Sequence, residues 1–452
     1  MAHKSTLLFG ALALSLAAAQ SQDLATCLQQ GSTNDTVILP SSLGYEAAAY
    51  ATFNQRLLYN PTAVVYPTTA QDIQRYVRCA AASGVPIAAR SGGHSYASYD
   101  LGGVDGAIVV DLSNMTSVVV HDDGTAYVQT GNRLGDMARK LWDQGRRSVP
   151  HGFVETGHIS FGGMGAWSRR HGLAQDRVIG AEIVLANGTI LTASDTNQPD
   201  LFWAIRGAAP SFGIVTQWIM ATLPTDPSVV TYTVDYDAVT NSTQLSQIFQ
   251  RWQATVASAP DESWLASRVA RATTASDLTL QLRGVYFGTQ DQFNAYTANW
   301  TTLFSPGLTM TNDSVIPERW DSMCEYIFSA GMNASLPWWF ESYSTLRGAI
   351  SRQGTDATSF ASRDALFSYQ WWGYTPANTT FPSDGIPFVD GMLKALEPNP
   401  QKAYPNYVDP TLSADEWKQQ YYGDHYERLA RIKRAVDPNN VFRFAQSIEV
   451  AE

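Results

Sequence analysis

Cysteine, charge and long apolar runs are all scarce in this chain of 452 residues. Only 16% of the residues are charged, and the net charge of −11 leaves no basic excess. Binding to nucleic acid or to an anionic membrane needs clustered positive charge, so the composition argues against both as partners. Beyond the N-terminus no segment approaches the roughly 18 consecutive apolar residues of a membrane helix. A hydrophobic share of 44% predicts instead a large packed core, divided over two or three domain-sized units.

The N-terminal stretch MAHKSTLLFGALALSLAAAQSQ has a basic start, an apolar run and small residues near Ala19. This order predicts a secretory signal peptide over residues 1–19 rather than a buried helix. We therefore expect a secreted, extracellular glycoprotein. In an oxidising compartment, Cys27 is expected to pair with Cys79, which leaves Cys324 as a buried free thiol. Asparagine sequons stand at Asn34, Asn114, Asn187, Asn241, Asn299, Asn312, Asn333 and Asn378.

The first half of the chain has an α+β pattern that is rich in glycine turns. The stretch AVVYPTTAQDIQRYVRCAAASGVPIAAR predicts strand, helix and strand, with Thr68 or Thr69 capping the helix and Gly84 ending it. Further strands follow, and Asn187-Gly188 predicts a hairpin turn between two of them.

From about Val229 the pattern changes to alternating strands with one wet face, and helical segments lie between them. We expect a second domain here, an antiparallel sheet backed by helices. The C-terminal segment predicts an amphipathic helix that stops at Asp437-Pro438.

Two glycine-rich stretches each carry a histidine. In the first, RSGGHSY, the pair Gly92-Gly93 precedes His94; in the second, Gly157-His158 precedes a further group of glycines. Adjacent glycines let backbone N–H groups turn toward an anion, so the two loops could embrace one phosphate-bearing cofactor. Each is also compatible with an ordinary glycine turn and a core histidine. The GxGxxG pattern is absent, which argues against the common dinucleotide-binding fold.

Six segments in this order resemble a known family: RSGGHSY, GHxxxGGxG, DLFWAIRG followed by FGIVT, AYPNY, YYGDHYERL and DPNNVFRFAQSI. They are similar to the secreted fungal FAD-linked oligosaccharide oxidases, relatives of berberine bridge enzymes in the vanillyl-alcohol oxidase superfamily. The resemblance implies a two-domain α+β flavoprotein with a PCMH-type FAD-binding domain. The expected organisation is a FAD-binding domain over 20–228 with its core at about 57–225, a substrate domain over 229–398, and a segment over 399–452 that completes the FAD-binding domain.

The resemblance also implies a role for His94. In the family this histidine bonds covalently to the methyl group of the flavin's benzene ring, which fixes the cofactor and raises its redox potential. Relatives often add a cysteine link from a loop that here reads HGFVETGH and contains no cysteine. We therefore expect FAD attached through His94 only, and no metal. The expected cofactor-binding residues are His94, Arg90, Ser91, Gly92, Gly93, Ser95, Gly157, His158, Ser160, Gly162, Gly163, Ile214 and Phe442.

The stretch AYPNY matches the family's Tyr-x-x-Tyr pair and so implies catalytic roles for Tyr404 and Tyr407. Tyr407 would deprotonate the substrate while a hydride moves to the flavin, and Tyr96 would contact substrate or flavin. Because a tyrosine with a pKa near 10 is a weak base at neutral pH, it needs a partner for its proton. Relatives place an aspartate there on a strand reading roughly Gln-x-Asp. The strand that matches here has Gln370 and, two positions further on, Trp372 in place of the aspartate. Either the partner of the base is altered, or the strand matches in a different register.

Expected substrate-binding residues are Arg268, Tyr286, Gln370 and Trp372, because aromatic faces stack on sugar rings and polar groups bind hydroxyls. The implied reaction is oxidation of the anomeric hydroxyl of a reducing oligosaccharide to a lactone, with oxygen or another acceptor reoxidising the flavin. A monomer is expected. Two alternatives stay open: a berberine-bridge-like oxidase of a secondary-metabolite alcohol or amine, and a non-catalytic carbohydrate-binding protein whose glycine loops are only turns.

Overall fold

The computed structural model describes residues 24–31, 36–152, 161–271, 278–298, 300, 317–344, 346–376 and 379–452. Within these ranges the chain forms sixteen strands, of which eleven belong to the first half. The eleven are β1 Val37–Ile38, β2 Ala63–Val65, β3 Ile87–Arg90, β4 Ile108–Asp111, β5 Val118–Val120, β6 Thr125–Gln129, β7 Arg147–Ser148, β8 Val178–Val184, β9 Ile190–Ala193, β10 Ile214–Ala221 and β11 Leu223–Pro224.

These strands form two main sheets. One has the order β1-β2-β4-β3, in which β4 runs parallel to both β2 and β3. The other is antiparallel, with the order β5-β6-β10-β8-β9, and β7 pairs separately with β11. The helices of this half are α1 Tyr45–Ala49, α2 Ala70–Ser83, α3 Leu134–Asp143, α4 Ser168–His171 and α5 Pro199–Ala208, and residues 24–29 are also helical.

The second half contains one five-stranded antiparallel sheet in the order β12-β14-β13-β15-β16. Its strands are β12 Val230–Val239, β13 Ser263–Arg271, β14 Leu278–Tyr286, β15 Trp338–Tyr343 and β16 Ser368–Gly373. The helices that follow in the chain are α6 Ser242–Ser258, α7 Gln290–Thr297, α8 Pro317–Ser329, α9 Ala349–Arg352, α10 Gly385–Leu396, α11 Ala414–Trp417 and α12 Tyr426–Val436.

One face of this sheet is covered and the other is open. Helices α6, α8 and α10 pack on apolar side chains of alternate strand positions, including Leu265, Leu280 and Phe340. Because side chains alternate across a strand, Arg268, Arg283 and the residues in register with them point to the opposite face. We call this second surface the open face. The architecture confirms the α+β fold with an antiparallel sheet backed by helices.

The C-terminal segment returns to the first half. Trp417, Leu429 and Ile448 are buried in the core that contains the five-stranded sheet of that half, and Phe442 joins the core beneath β2–β4. The packing is compatible with the proposal that residues 399–452 complete the FAD-binding domain.

Several local predictions are confirmed by the structure. Thr69 caps the N-terminus of helix α2, where its side chain accepts a hydrogen bond from the Asp72 N–H, and Gly84 caps the C-terminus with a positive φ of 66°. Cys27 and Cys79 form the predicted disulfide, with Cα atoms 5.9 Å apart. Cys324 is free and buried.

The Asn187-Gly188 turn joins β8 to β9. The proposed signal peptide at 1–19 lies outside the described residues. No helix in the described ranges has the length and apolar character needed to cross a bilayer.

Candidate active site

A cavity opens between β3, the face of β6 and β10, and the C-terminal segment. Its wall includes Ala88 and Ala89 of β3, Val128 of β6, Val215 of β10 and Tyr421 near the C-terminus. Both glycine-rich segments contribute, since Ser91 and His94 line it from the first and Phe161 from the second. The sequence folds this way because Gly93 adopts a positive φ of 69°, which turns the chain after β3 so that His94 reaches the cavity.

His94 lies at the wall of this cavity with its ring packed against Phe53, at a centroid distance of 3.9 Å. Burial lowers the pKa of the His94 imidazole below its ordinary 6.5, and a backbone hydrogen bond only partly opposes this. The ring is therefore neutral at neutral pH, which leaves one nitrogen with a lone pair that can bond to carbon.

Nine of the thirteen predicted cofactor-binding residues fall into three groups. Ser91, Ser95, Ile214 and Phe442 line the cavity together with His94. Arg90 is buried beneath it, where its Nε donates to Asp111 Oδ2 at 2.7 Å. Gly157, His158 and Ser160 lie outside the described residues.

Gly162 and Gly163 lie at Tyr404, not at the described cavity wall. The Gly163 N–H donates to the Tyr404 hydroxyl oxygen at 3.2 Å, and a Cβ on Gly162 would come within 3.1 Å of that ring. Since Gly162 also has a positive φ of 133°, a side chain is disfavoured there both by conformation and by space. Both glycines therefore position Tyr404 directly.

The cavity residues fit FAD chemically. The end near β3 has small side chains that allow the backbone to approach a pyrophosphate, while aromatic and aliphatic side chains suit an isoalloxazine ring. Gln446 lines the cavity, its Nε2 donates to the Asp409 carbonyl at 2.7 Å, and its Oε1 is buried without a partner among the described residues. A buried unpaired acceptor is costly, and a ligand with N–H donors, such as a flavin, would satisfy it.

Three predicted catalytic tyrosines come together beside this cavity. The Tyr96 and Tyr407 rings stack at 5.7 Å, and the Tyr404 ring meets Tyr407 edge-on at 5.0 Å. Asn406 and Val408, the neighbours of Tyr407, line the cavity, while Tyr407 itself packs with Trp264, Ala266 and Tyr343 of the second sheet. Tyr407 thus lies where the cavity meets the open face.

Burial raises the pKa of the Tyr407 hydroxyl well above its ordinary 10, and the nearby Tyr96, Tyr404 and Glu341 oxygens raise it further. A hydrogen bond with Tyr343 acts in the opposite direction. Burial likewise raises the pKa of Tyr96 to about 12. Both tyrosines are neutral at physiological pH.

The open face brings three of the four predicted substrate residues together. Gln370 and Trp372 of β16 lie toward Tyr96, where the Gln370 Nε2 donates to the Tyr96 hydroxyl at 2.5 Å and the Trp372 ring lies 4.9 Å from that of Tyr96. Arg268 extends over the Trp339 ring, with its guanidinium carbon 5.2 Å from the ring centroid.

The structure does not bring Tyr286, the fourth predicted substrate residue, to the open face. Its side chain points to the other side of the sheet and is 9% exposed, stacked at 5.7 Å on the Tyr296 ring. A role in substrate binding is therefore not compatible with its position.

The expected strand with Gln and a missing aspartate also requires a correction. Trp372 does not occupy the place beside the base; Tyr343 of β15 does, and its hydroxyl donates to the Glu341 carboxylate. Glu341 is 4% exposed and pairs across the strands with Arg268 on one side and Gln370 on the other. The carboxylate of the site is thus that of Glu341 on β15, next to β16 in the sheet, and Tyr343 lies between this carboxylate and Tyr407.

Sequence reasoning missed Phe53, Glu341, Tyr343 and Gln446. For Glu341 and Tyr343 a signal exists, because in WWFESY alternate positions share one face of a strand. The alternation places both side chains with Trp339, but only the order of the strands reveals that this face meets Tyr407.

The fold and the cavity define a FAD-binding oxidoreductase, and comparison with known proteins agrees. Residues 61–194 match the FAD binding domain family, and residues 403–449 match the family described as berberine and berberine like. The xylooligosaccharide oxidase of Thermothelomyces thermophilus is 33% identical, with 88% of this chain and 89% of the relative covered.

Solved structures extend this likeness. A chitooligosaccharide oxidase superposes with a TM-score of 0.86 at 28% identity, covering 95% of this chain and 100% of that one. A glucooligosaccharide oxidase of Acremonium strictum, described with a 6-S-cysteinyl, 8α-N1-histidyl FAD, gives a TM-score of 0.83 at 27% identity, with 95% and 99% covered. The chain belongs to the berberine-bridge-like family of FAD-linked oxidoreductases in the vanillyl-alcohol oxidase superfamily. The family and the cofactor class predicted from the six segments are thereby confirmed.

Proposed function

We propose that the protein oxidises the anomeric hydroxyl of a reducing oligosaccharide to a lactone, with Tyr407 as the base. The observation that carries this is the position of Tyr407, whose chain neighbours line the FAD cavity while its own side chain packs on the open face of the second sheet. A substrate on that face therefore meets both the cofactor site and the base. The likeness to xylo- and chitooligosaccharide oxidases supports a sugar as substrate.

The residues of the site divide the work between them. FAD, when bound, accepts the hydride from the anomeric carbon. Tyr407 removes the hydroxyl proton. The Tyr96 hydroxyl accepts a hydrogen bond from Gln370, so its own O–H can donate to a substrate oxygen and orient the sugar. Tyr404 is fixed by N–H groups of Gly163 and Met164, at 3.2 Å each, and holds its ring against Tyr407.

An aromatic wall along the open face supports stacking of sugar rings. Trp372 and Trp339 stack on each other at 5.6 Å and an interplanar angle of 13°, starting next to Tyr96. Arg268 lies over Trp339 at the far end. Aromatic faces bind the apolar faces of pyranose rings while a guanidinium donates to hydroxyls, so the wall suits a second ring beyond the reacting one.

We infer that FAD is linked through His94 alone, unlike the relative described with both histidyl and cysteinyl bonds. Cys27 and Cys79 are joined to each other, and Cys324 is fully buried in the core of the second half. None of the described residues lining the cavity is a cysteine. These positions leave no thiol for a second bond.

A secreted glycoprotein is the localisation that we propose. The disulfide fits an oxidising compartment, and the sequons within the described ranges, at Asn114, Asn187, Asn241 and Asn333, are all exposed. The other four lie outside those ranges. Oxygen or another acceptor reoxidises the flavin, and a monomer is the proposed state.

The first test is anaerobic mixing of the purified yellow protein with cello-, xylo-, malto- and chito-oligosaccharides while the flavin absorbance is followed. Bleaching by one series is expected, and admitting air afterwards separates an oxidase from a dehydrogenase. If no sugar bleaches a yellow protein, oxidation of a secondary-metabolite alcohol or amine becomes the better proposal. The observation that favours this second candidate is that a tyrosine hydroxyl, that of Tyr343, is hydrogen-bonded to the base, where the family resemblance implies a carboxylate. A colourless protein would instead support carbohydrate binding without catalysis.

Tyr407→Phe tests the assigned base. Flavin reduction should slow by about 10²–10⁴-fold, the range for loss of a general base, while the yellow colour is retained. Tyr286→Phe, on the covered side of the same sheet, is the matched control and should reduce at the wild-type rate. A near-normal rate for Tyr407→Phe would remove this residue from the mechanism.

A further inference from the structure

A buried carboxylate lies two hydrogen bonds from the base. Tyr407 is hydrogen-bonded to Tyr343, and the Tyr343 hydroxyl donates to Glu341 Oε2. The same Tyr343 hydroxyl lies 3.2 Å from Gln370 Oε1. Tyr407, Tyr343 and Glu341 therefore form a chain of hydrogen bonds that leads from the base to a buried carboxylate on β15.

Tyr407 cannot act as a base by itself at neutral pH. Its surroundings raise its pKa well above the ordinary 10, mainly because the hydroxyl is buried. A neutral phenol accepts a proton only if its own proton leaves in the same event. Tyr343 has one hydroxyl proton, which it can direct to Tyr407 or to Glu341. When that proton points to Glu341, the Tyr343 oxygen accepts from Tyr407, and this arrangement is the exit that the geometry provides.

Glu341 is suited to be the final acceptor. Among the described residues it is the acid whose charge acts on the hydroxyls of Tyr96, Tyr343 and Tyr407. Its other oxygen, Oε1, accepts from Arg283 Nη2 at 2.6 Å and lies 3.8 Å from Arg268 Nε. The two arginines come from β14 and β13, and Gln370 faces Glu341 from β16. Oε2 thus remains available for the proton.

We propose that the proton taken from the substrate hydroxyl is relayed through Tyr407 and Tyr343 and is stored on Glu341. The substrate O–H bond breaks as its proton bonds to the Tyr407 oxygen, the Tyr407 proton moves to Tyr343, and the Tyr343 proton moves to Glu341 Oε2. The electron pair of the anomeric C–H bond leaves with its hydrogen as a hydride to the FAD, and the carbon–oxygen double bond forms. Glu341 ends as a neutral acid, both tyrosines stay neutral, and charge balances.

This relay rests on the proposed function for its substrate. It assigns the role of the expected aspartate to a tyrosine and a glutamate together. It also explains why Tyr343 is tolerated beside the base, because a hydroxyl that both accepts and donates passes a proton on without holding it.

The test compares Glu341→Gln and Tyr343→Phe with wild type by anaerobic stopped-flow reduction of the flavin. Each variant should reduce about 100-fold more slowly, because the amide cannot accept a proton and the phenyl ring cannot relay one. The dissociation constant of the sugar, taken from saturation of the rate, should change little. Glu341→Asp should recover part of the rate, and Tyr286→Phe should match wild type.

The pH profile separates a relay from a structural role. Wild type should reach a plateau at neutral pH, because the proton has an acceptor inside the site. In Glu341→Gln the rate should keep rising with pH, since Tyr407 must then lose its proton to solvent. If Glu341→Gln reduces its flavin at the wild-type rate and with the wild-type pH dependence, the relay is overturned, whatever the rate of Tyr343→Phe.

A measurement without substrate keeps the relay testable if no sugar reacts. The Glu341 charge raises the pKa of Tyr407, so removing it should move phenolate formation in this cluster to lower pH. Ultraviolet difference titration of Glu341→Gln against wild type, with Tyr407→Phe to identify the signal, should show that shift. If the phenolate titration shifts but no sugar reduces the flavin of the wild-type protein, the substrate assignment fails and the coupling between Glu341 and Tyr407 stands. If the titration is unchanged, the coupling fails.

Discussion

His94 combines the properties that a covalent flavin anchor needs. It lines the cavity, its ring is held against Phe53 at 3.9 Å, and burial lowers its pKa so that the imidazole is neutral. A neutral, oriented nitrogen can bond to the flavin methyl carbon, whereas a protonated or rotating ring would not do so efficiently.

His94→Ala should therefore release the flavin when the protein is denatured, while wild type should keep the colour with the precipitated polypeptide. The measurement is the absorbance of pellet and supernatant after acid precipitation. The control is His121→Ala, an exposed histidine that should leave the bond intact. Colour that remains with the His94→Ala polypeptide would show that the anchor is elsewhere.

Asp100 adds a pH dependence at the same cavity. Burial raises its pKa from 3.8 to about 6, although Arg90 and a hydrogen bond from Thr52 partly oppose the rise. The folded state thus binds this proton more tightly than the unfolded state does. The resulting stability is fully present below pH 3.8 and is lost as the pH rises through about 6.

We expect the free energy of unfolding of wild type to fall between pH 4 and pH 7 by about 2 kcal/mol relative to that of Asp100→Asn. Urea unfolding of both proteins at the two pH values measures the difference. Asp122→Asn, at an exposed aspartate, should track wild type at both. Parallel pH dependence in wild type and Asp100→Asn would mean that Asp100 ionises normally.

Among the elements, the Cys27–Cys79 disulfide joins the helical residues 24–29 to helix α2 across 52 positions of sequence. Closing a loop of that length removes conformations mainly from the unfolded chain and stabilises the fold by about 4 kcal/mol. The pair Cys27→Ala and Cys79→Ala should lower the free energy of unfolding by that order, measured by urea unfolding. Cys324→Ala, in the other core, keeps this disulfide, so a reducing agent should lower its stability as it does that of wild type, whereas the double variant should not respond.

Local elements were predictable from the sequence where their signals are local. The Thr69 cap, Gly84 and the helical spacing of Ile73 and Val77 are sufficient for α2, and Asn187-Gly188 is sufficient for a hairpin. The site was predictable only through the resemblance, because its residues come from segments hundreds of positions apart.

Tyr286 and Glu341 show two ways in which strand reasoning from the sequence failed. Arg283 and Tyr286 are three positions apart on β14, so alternation alone places them on opposite faces, and the prediction for Tyr286 neglected this. Glu341 could not have been assigned beside Gln370 without the strand order, because cross-strand neighbours depend on which strands pair.

At the scale of the whole molecule, the site depends on how the two halves meet. Tyr407 and the cavity belong to the part built from the first half and the C-terminal segment, whereas Tyr343, Glu341 and Gln370 belong to the second sheet. Arg169 of helix α4, which is 3% exposed, connects the two halves because its guanidinium donates to four backbone carbonyls of the second half. The four acceptors are the carbonyls of Val256, Ala259, Pro260 and Ser344.

Arg169→Met should therefore lower stability and slow catalysis together. Buried carbonyls left without a donor cost about 1–3 kcal/mol each before relaxation, so a loss of about 3 kcal/mol in the free energy of unfolding is expected. Flavin reduction should slow because the Tyr407–Tyr343 hydrogen bond spans the same boundary. The matched control is Arg170→Met, since Arg170 pairs with Asp226 at 2.6 Å on the near side of that boundary. If Arg169→Met has the same free energy of unfolding and the same rate of flavin reduction as Arg170→Met, the remaining contacts between the halves are sufficient to align the base with the relay.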